Sequence, residues 1–321
     1  MELQLKRCRC CGQHTFHRLR TFVDVDPFFA RHGLQISVEQ SIDIPLYDWG
    51  LRGKAKLLPP WLAEKFHRKL DAIRAKHVLQ ACKVKIPFGL CKNCEFLAPW
   101  YEIGYDQLSD YYAFYLQNEY KESREAFQPG FRELGKVMGS IAEADLRRQQ
   151  HEEFILPFLQ DLREYAQDKS LKLLDYGGGE GLIIPRLPWI DGDVLEVESA
   201  EQPQGPELAS YDVVQCLHVL EHVGSPYDTF QRLLAFCRVG GLLYIEVPIE
   251  HPGSLDLSDP KQIICHEHIN KLSLNSIKGL VEASAVEVIF LQASTVKFLH
   301  LDGMTPIVRC LTRKIPETVP V

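Results

Sequence analysis

A buried strand that runs directly into a cluster of glycines is the feature that most constrains the fold of this chain. The segment from Leu173 to Gly181 begins as an apolar strand that ends in Asp175, and four glycines follow between Gly177 and Gly181. A strand that turns sharply into a helix needs positions that tolerate φ > 0 and carry no Cβ, so that a ligand can lie against bare backbone. The amide groups of such a turn can meet a ligand carboxylate. The pattern predicts an α/β sheet with a ligand site at this turn.

Two further motifs follow in order. Tyr211 to Val223 is a second buried strand that runs into a helix, and Val239 to Pro248 is a Gly-Gly turn that feeds a third strand. A single glycine turn is often an ordinary loop, whereas three motifs in this order are more specific. Together, the residues from Leu171 to about Lys314 resemble the class I S-adenosylmethionine-dependent methyltransferases, in particular those with a Leu-Glu-His motif after the fourth strand.

The resemblance implies a Rossmann-like α/β fold with a seven-stranded, mostly parallel sheet. Val286 to Leu291 and Pro306 to Leu311 are expected to form its antiparallel closing hairpin. The last pair of strands is thus expected to be antiparallel.

The composition is that of a globular chain. Its 321 residues are 45% hydrophobic, which is enough for two domains and a sizeable core. The net charge of -7 and the pI near 6.0 argue against a general nucleic-acid binder. The start has no signal-peptide core, and no run approaches the roughly 18 apolar residues that span a bilayer. We expect a cytoplasmic protein with a small-molecule substrate and without nucleic-acid or membrane partners, and the sequence is compatible with a homodimer.

Cysteines occur in two pairs with the spacing of metal ligands. Cys8 and Cys11 form one Cys-x-x-Cys step, and Cys91 and Cys94 form the other. Two such steps that converge supply four thiolates for a tetrahedral, closed and therefore structural zinc site. Unrelated reduced thiols are the alternative interpretation. The side chains that could replace one of the four are Cys10, Cys82, His14 and His17.

The sequence predicts three regions. Residues 1–125 form a smaller, helix-rich domain for zinc binding and substrate recognition, residues 126–169 form a helical linker or lid, and residues 170–315 form the methyltransferase domain. Apolar residues at three- and four-residue steps predict a helix over Trp61 to His77, and Glu133 to Glu164 is expected to form one or two more.

Three segments resemble the sugar C-methyltransferase family with an N-terminal zinc-binding domain. Ile86 to Leu97 contains the second cysteine pair, and Leu108 to Tyr112 follows it. Cys265 to Ser273 is similar to that family's Tyr-x-Glu-His-x-x-x-x-Ser segment, with a cysteine at the tyrosine position. The resemblance implies S-adenosylmethionine as cofactor, structural Zn²⁺, and a nucleotide-linked sugar or a secondary-metabolite intermediate as methyl acceptor.

The resemblance also implies the cofactor contacts. The turn should surround the amino-acid end of the cofactor, and the next strand should end with a carboxylate for the ribose hydroxyls. Glu198 is favoured over Glu196 for that role, although both could be solvent-facing residues of an edge strand. The expected cofactor-binding residues are Asp175, Gly177, Gly179, Gly181, Glu198 and Leu217.

Methyl transfer is an in-line displacement from a good leaving group, so the protein mainly positions the acceptor and removes its proton. A histidine suits this task near neutral pH. The expected catalytic residues are His268, Glu267, His266 and His218, with His268 as the favoured base and a purely structural segment as the alternative. Glu221 and His222 are expected to cap and brace the glycine turn.

A second class of function remains open. Only thirteen residues, 199 to 211, separate Glu198 from Asp212, where most relatives fit a helix and a strand. This short connection favours a catalytically degenerate, zinc-bearing binding or scaffold module. An NAD-dependent dehydrogenase is disfavoured, because the turn lacks the Gly-x-Gly-x-x-Gly spacing.

Overall fold

The computed structural model describes residues 6–25, 29, 85–114, 117–127, 130–138, 140–167, 169–197, 208–250, 264–265, 267–301 and 303–316. Four predicted features lie outside these ranges: the helix over Trp61 to His77, Cys82, Glu198 and His266.

A four-stranded sheet joins the N-terminal half to the C-terminal half. Its strands are β1 (Phe16–Val25), β2 (Lys85–Cys91), β3 (Leu97–Pro99) and β8 (Ile264–Cys265), in the order β3-β2-β1-β8. The first three pair antiparallel, whereas β8 pairs parallel with β1. Because β8 follows the methyltransferase motifs in sequence, the two halves share this sheet.

Four helices follow β3. They are α1 (Tyr105–Phe114), α2 (Asn118–Phe127), α3 (Phe131–Val137) and α4 (Ile141–Tyr165). An aromatic core that includes Tyr111, Tyr120 and Phe131 holds the first three together. The side chain of Ser140 accepts a hydrogen bond from the backbone of Glu143, which caps α4. The helices predicted between residues 133 and 164 are confirmed.

A six-stranded sheet forms the C-terminal half. Its strands are β4 (Leu171–Tyr176), β5 (Ile190–Leu195), β6 (Tyr211–Leu217), β7 (Cys237–Pro248), β9 (Val286–Lys297) and β10 (Met304–Lys314). Their order is β5-β4-β6-β7-β10-β9. The first four strands run parallel, and β10 pairs antiparallel with both β7 and β9. The predicted closing hairpin is confirmed.

The predicted strand count needs correction. The described residues supply six strands to this sheet instead of seven, and β5 and β9 are its two edges. The connection from β5 to β6 spans only 196–210, too short to hold the usual helix and strand. Four of the six residues of β5 are exposed, consistent with an edge position.

The central strands are apolar because helices cover them. Leu173 and Leu174 of β4 are fully buried on opposite faces. Two helices complete this half: α5 (Pro226–Phe236), capped by Ser225, and α6 (Leu274–Glu282). In the described part of the chain, no helix combines the length and apolar character needed to cross a membrane.

Candidate cofactor and acceptor site

The turn after β4 leaves bare main chain at the edge of the sheet. Gly177 and Gly179 have φ values of +72° and +58°, in the left-handed region that residues with a Cβ rarely adopt. A Cβ on Gly177 would lie 2.6 Å from Val219, whereas no described atom comes within 4 Å of a Cβ on Gly179. Packing therefore requires the first glycine, and the second leaves its backbone open to a ligand.

A cavity of about 630 Å³ lies over this turn. On the sheet side, the residues that face it include Tyr176, Gly177, Gly179, Glu196, His218 and His222. On the opposite side, the N-terminal half contributes Ile103, Leu108 and Tyr112, at and just before α1. A volume of this size is typical of sites for small molecules and cofactors. Both halves of the chain therefore build one open crevice.

Asp175 lies beneath the turn instead of in the cavity wall. It is 2% exposed, and a Cβ on Gly178 would collide with its carboxylate. Burial raises the pKa of Asp175 to about 6 from its ordinary value of 3.8, although the charge of Arg147 opposes part of this shift. The carboxylate therefore supports the turn from below, and its contact with the cofactor stays a prediction.

The remaining predicted cofactor residues divide between the cavity and the packing around it. Glu196 directly follows β5 and lines the cavity, whereas the favoured Glu198 lies outside the described residues. Gly181 permits close packing, because a Cβ there would lie 2.8 Å from Val194. Leu217 packs against the core that α4 forms with the sheet.

His218 lies at the floor of the cavity, where β6 ends. Its φ of +56° is uncommon for a residue with a Cβ, and such strain concentrates at functional sites. Its Nε2 lies 3.2 Å from Oε1 of Glu246, and its Nδ1 lies 3.5 Å from Oε1 of Glu221. Burial disfavours protonation, but these carboxylates outweigh burial and raise the pKa of His218. Burial also opposes ionisation of Glu246, yet His218 and Arg309 lower its pKa to about 2.

The predicted Glu-His pair lies behind the cavity wall. Nδ1 of His268 lies 3.2 Å from Oε1 of Glu250, and its ring packs edge-on against His222, with ring centres 4.7 Å apart. Burial disfavours its charged form, but Glu250 outweighs burial and raises the pKa of His268. Glu267 lies in a buried ion pair, 3.8 Å from Arg124. Neither side chain of the pair faces the cavity directly.

Asn270 and Ser273 fix this segment in place. The side-chain amide of Asn270 donates to the carbonyls of Leu220 and Val223, at 2.8 Å and 2.6 Å, and so holds the loop after β6. Ser273 caps α6 and exchanges hydrogen bonds with Ser276. The serine that matches the sugar C-methyltransferase segment thus has a structural role here.

His222 forms part of the cavity wall, and Glu221 lies buried beside it. His222 lines the cavity, and its Nδ1 lies 2.8 Å from the carbonyl oxygen of Glu267. Burial, followed by the nearby His268, lowers the pKa of His222 to about 4. Glu221 is fully buried between His218 and His222. The spacing of His218, Glu221 and His222 could have indicated this grouping, since residues three and four apart can share one side of a helical turn.

The four predicted cysteine ligands meet in one buried group, which we call the cysteine cluster: Cys8, Cys11, Cys91 and Cys94. Their sulfur atoms all lie within 4.8 Å of one another, with 3.8 Å from Cys8 to Cys94 and 3.7 Å from Cys11 to Cys91. Tetrahedral Zn–S bonds of about 2.3 Å place neighbouring sulfurs about 3.8 Å apart. The hydrogen bond with Cys8 lowers the pKa of Cys11 to about 6. The geometry and the donor set fit zinc.

The cysteine cluster packs directly on α6. A Cβ on Gly279 would lie 2.7 Å from Cβ of Cys94 and 3.0 Å from Cβ of Cys11. The hydroxyl of Ser276 donates to the carbonyl of Cys94 at 3.0 Å. Cys10, an alternative ligand, instead donates from Sγ to the carbonyl of Ser276 at 3.2 Å.

Similar solved structures include several methyltransferases. The CurJ carbon methyltransferase is 15% identical, with 46% of this chain and 49% of that chain covered and a TM-score of 0.32. The DszA carbon methyltransferase is 17% identical, with 60% of each chain covered and a TM-score of 0.37. A SAM-dependent methyltransferase from Methanosarcina mazei is 11% identical, with 46% of this chain and 94% of that chain covered and a TM-score of 0.37. This chain thus spans about half of CurJ, and such values carry nothing about substrate or mechanism. A search of curated proteins finds no significant match.

A family match identifies the C-terminal half more directly. Residues 146–289 match a family described as a methyltransferase domain. The matched range begins within α4, ends within β9, and contains the glycine turn, His218, Glu221 and His268. The predicted fold class is confirmed, with the strand count corrected as above. Residues 146–289 thus match a methyltransferase domain, and the sheet that they largely form has the class I fold.

Proposed function

We propose that the whole chain is a cytoplasmic methyltransferase that acts on a small molecule, either a nucleotide-linked sugar or a secondary-metabolite intermediate. The observation that carries the proposal is the open cavity above bare glycine main chain, walled on its other side by the N-terminal half. A scaffold whose cofactor site had decayed would have no reason to keep this space clear. The acidic net charge agrees with a small acceptor, not a nucleic acid.

The cofactor would occupy the sheet side of the cavity. When bound, S-adenosylmethionine supplies a methyl group activated by a sulfonium. The open backbone at Gly177 and Gly179 would bind its carboxylate end, and the carboxylate of Glu196 would accept hydrogen bonds from the ribose hydroxyls. Glu196 is proposed here because it lines the cavity immediately after β5, whereas Glu198, which the sequence favours, lies outside the described residues.

His218 would handle the acceptor's proton. Of the predicted catalytic residues within the described ranges, it is the one that lines the cavity. Glu246 and Glu221 flank its ring and would stabilise the imidazolium that forms when it takes a proton. His268, the base favoured from the sequence, lies behind His222 and would act through its neighbours.

The cysteine cluster would hold a structural zinc ion. Four thiolates complete a tetrahedral shell, so the metal would take no part in the reaction. Its position against α6 would fix the N-terminal half, and with it Leu108 and Tyr112, over the cavity.

Isothermal titration calorimetry of the full chain with S-adenosylmethionine tests this function. We expect binding that Gly179→Arg abolishes, because the arginine side chain would fill the cavity. Gly303→Arg is the matched control: Gly303 also has a positive φ (+96°), and no described atom lies within 4 Å of its Cβ position. Binding that survives Gly179→Arg, or no heat with the wild type, would contradict the proposal, and the latter would favour a scaffold.

A further inference from the structure

We propose that Glu221, His222 and His268 form a divalent-cation site at the cavity, separate from the cysteine cluster. The three side chains each offer one ligand atom, and these atoms all lie within 4.8 Å of one another. Two imidazoles and one carboxylate form a donor set that binds first-row divalent metals and leaves positions open for a further ligand. The use of the site in catalysis rests on the proposed function, whereas its affinity for a cation does not.

The two histidines are oriented as metal ligands usually are. Nδ1 of His222 lies 2.8 Å from the carbonyl oxygen of Glu267, and Nδ1 of His268 lies 3.2 Å from the carboxylate of Glu250. Both oxygens accept hydrogen bonds, so each Nδ1 carries a proton, and in the neutral ring each Nε2 keeps a lone pair. A histidine that binds a metal typically donates its other N–H to a carbonyl or carboxylate in this way.

Glu221 gives an independent reason to expect a cation. Its relative exposure is 0%, and neither carboxylate oxygen has a hydrogen-bond partner among the residues that the structure describes. The contacts nearest to hydrogen bonds are long, at 3.5 Å to Nδ1 of His218 and 3.9 Å to Nε2 of His222. Contacts of this length compensate the burial of a carboxylate only in part, and a bound cation would complete the compensation.

The surrounding structure is rigid enough to maintain such a site. The backbone N–H of Asn270 donates to the carbonyl of Glu221 at 2.9 Å, and the Asn270 side chain holds the same loop through two more carbonyls. Bonds of 2.0–2.2 Å to a cation need ligand atoms roughly 3–3.5 Å apart. The three side chains would therefore move inward by about 1 Å, which is within the reach of small side-chain rotations.

The site indicates the chemistry of the acceptor. Of the three proposed ligands, His222 is the one that lines the cavity, so an acceptor would reach the cation from the His222 side. A hard divalent cation held by a carboxylate and imidazoles prefers oxygen as its further ligand and polarises the oxygen that it binds. We therefore infer an acceptor that presents a hydroxyl, enol or carbonyl oxygen beside His218.

Electron paramagnetic resonance with Mn²⁺ tests the site directly. The full chain, with zinc already supplied, is titrated with Mn²⁺, which competes poorly for thiolates. We expect one Mn²⁺ bound per chain, with modulation of its spin echo by coordinated imidazole nitrogen. Glu221→Gln should weaken binding by at least tenfold. Glu250→Gln, which removes the charged support of His268 and also an ion pair with Lys271, should weaken it by about 10- to 100-fold. Glu282→Gln, an exposed glutamate at the end of α6, is the matched control and should bind like the wild type.

Two results would overturn the proposal: absence of stoichiometric Mn²⁺ binding, or bound Mn²⁺ without nitrogen modulation. The nitrogen signal of the wild type decides the question even if Glu221→Gln fails to fold. S-adenosylmethionine titration separates the two proposals, because cofactor binding without Mn²⁺ binding refutes the cation site alone. Mn²⁺ binding without cofactor binding refutes the proposed function alone.

Discussion

Replacing Asp175 by asparagine should stabilise the protein at alkaline pH. Asp175 lies beneath the glycine turn with 2% exposure, and its Oδ2 has no hydrogen-bond partner within the described ranges. Burial therefore opposes ionisation and raises its pKa to about 6. Asparagine has the same shape and carries no charge, so it avoids the desolvation of a carboxylate.

The size and sign of the effect follow from the pKa. Because the pKa of Asp175 is raised from 3.8 to about 6 on folding, ionisation disfavours the folded state. The cost is nearly absent below pH 3.8, grows as the pH rises through about 6, and is complete above it. Two pKa units correspond to about 3 kcal/mol in the free energy of unfolding at pH 8. At pH 5 the same relation leaves about half of this cost, roughly 1.5 kcal/mol.

Urea denaturation of both proteins at pH 8 and at pH 5 measures this cost. The quantity of interest is the difference in unfolding free energy between Asp175→Asn and the wild type. The variant should be more stable than the wild type by a margin that is about 1.5 kcal/mol larger at pH 8 than at pH 5. Comparison of the two pH values removes any packing change that the substitution causes at both. Asp161→Asn, on the exposed face of α4, controls for the chemical exchange.

A difference between variant and wild type that is the same at both pH values would refute the reasoning. It would mean that Asp175 ionises as easily in the folded protein as in the unfolded chain. Isothermal titration of the variant with S-adenosylmethionine tests the role of Asp175 in cofactor binding. If the charged carboxylate is needed to shape the turn for the cofactor, the stabilised variant should bind S-adenosylmethionine more weakly. A gain in stability that accompanies a loss of binding is the usual trade-off at a strained site.

Two further predictions concern the cysteine cluster. Cys94→Ser should lose the metal and lower the melting temperature steeply, because structural zinc contributes ~10 kcal/mol or more in small modules. Metal analysis by mass spectrometry and calorimetric melting measure the two effects. An unchanged melting temperature would count against a structural ion. Gly279→Ala should destabilise by about 1–3 kcal/mol through overpacking against Cys94 and Cys11. Gly135→Ala, in the exposed helix α3, should instead stabilise by up to about 1 kcal/mol. Equal effects of the two glycine substitutions in urea denaturation would contradict the packing argument.

The sheet could be predicted from the sequence because its signals are local. The apolar runs of β4, β6 and β7 are buried on both faces, and the glycine turn marks where the first of them ends. The closing hairpin was equally visible. The described residues supply one strand fewer than the seven that the family resemblance implied, and the connection after β5 is correspondingly short.

The site was harder to predict, because it depends on which side chains meet across the fold. The cysteine pairs have a fixed local spacing, so convergence was foreseeable even across the long segment between them. The position of His268 could not be foreseen, because the residues that hold it, Glu250 and His222, lie far from it in sequence. Its ring packs behind His222 and does not line the cavity. The Leu-Glu-His motif predicted a glutamate that caps and braces the glycine turn, and it gave no sign that Glu221 would be fully buried.

The loop after β6 shows how the two halves of this chain are joined at one cavity. Arg9, which lies between the first two cysteines of the cluster, donates to the carbonyl of Gly224 at 3.2 Å and to that of Pro99 at 2.8 Å. Gly224 lines the cavity, and Asn270 holds the same loop from its other side. The loop that carries Glu221 and its neighbouring histidines is therefore fixed partly by the cysteine cluster. A metal in that cluster, although remote from the reacting atoms, would set the shape of the acceptor side of the cavity.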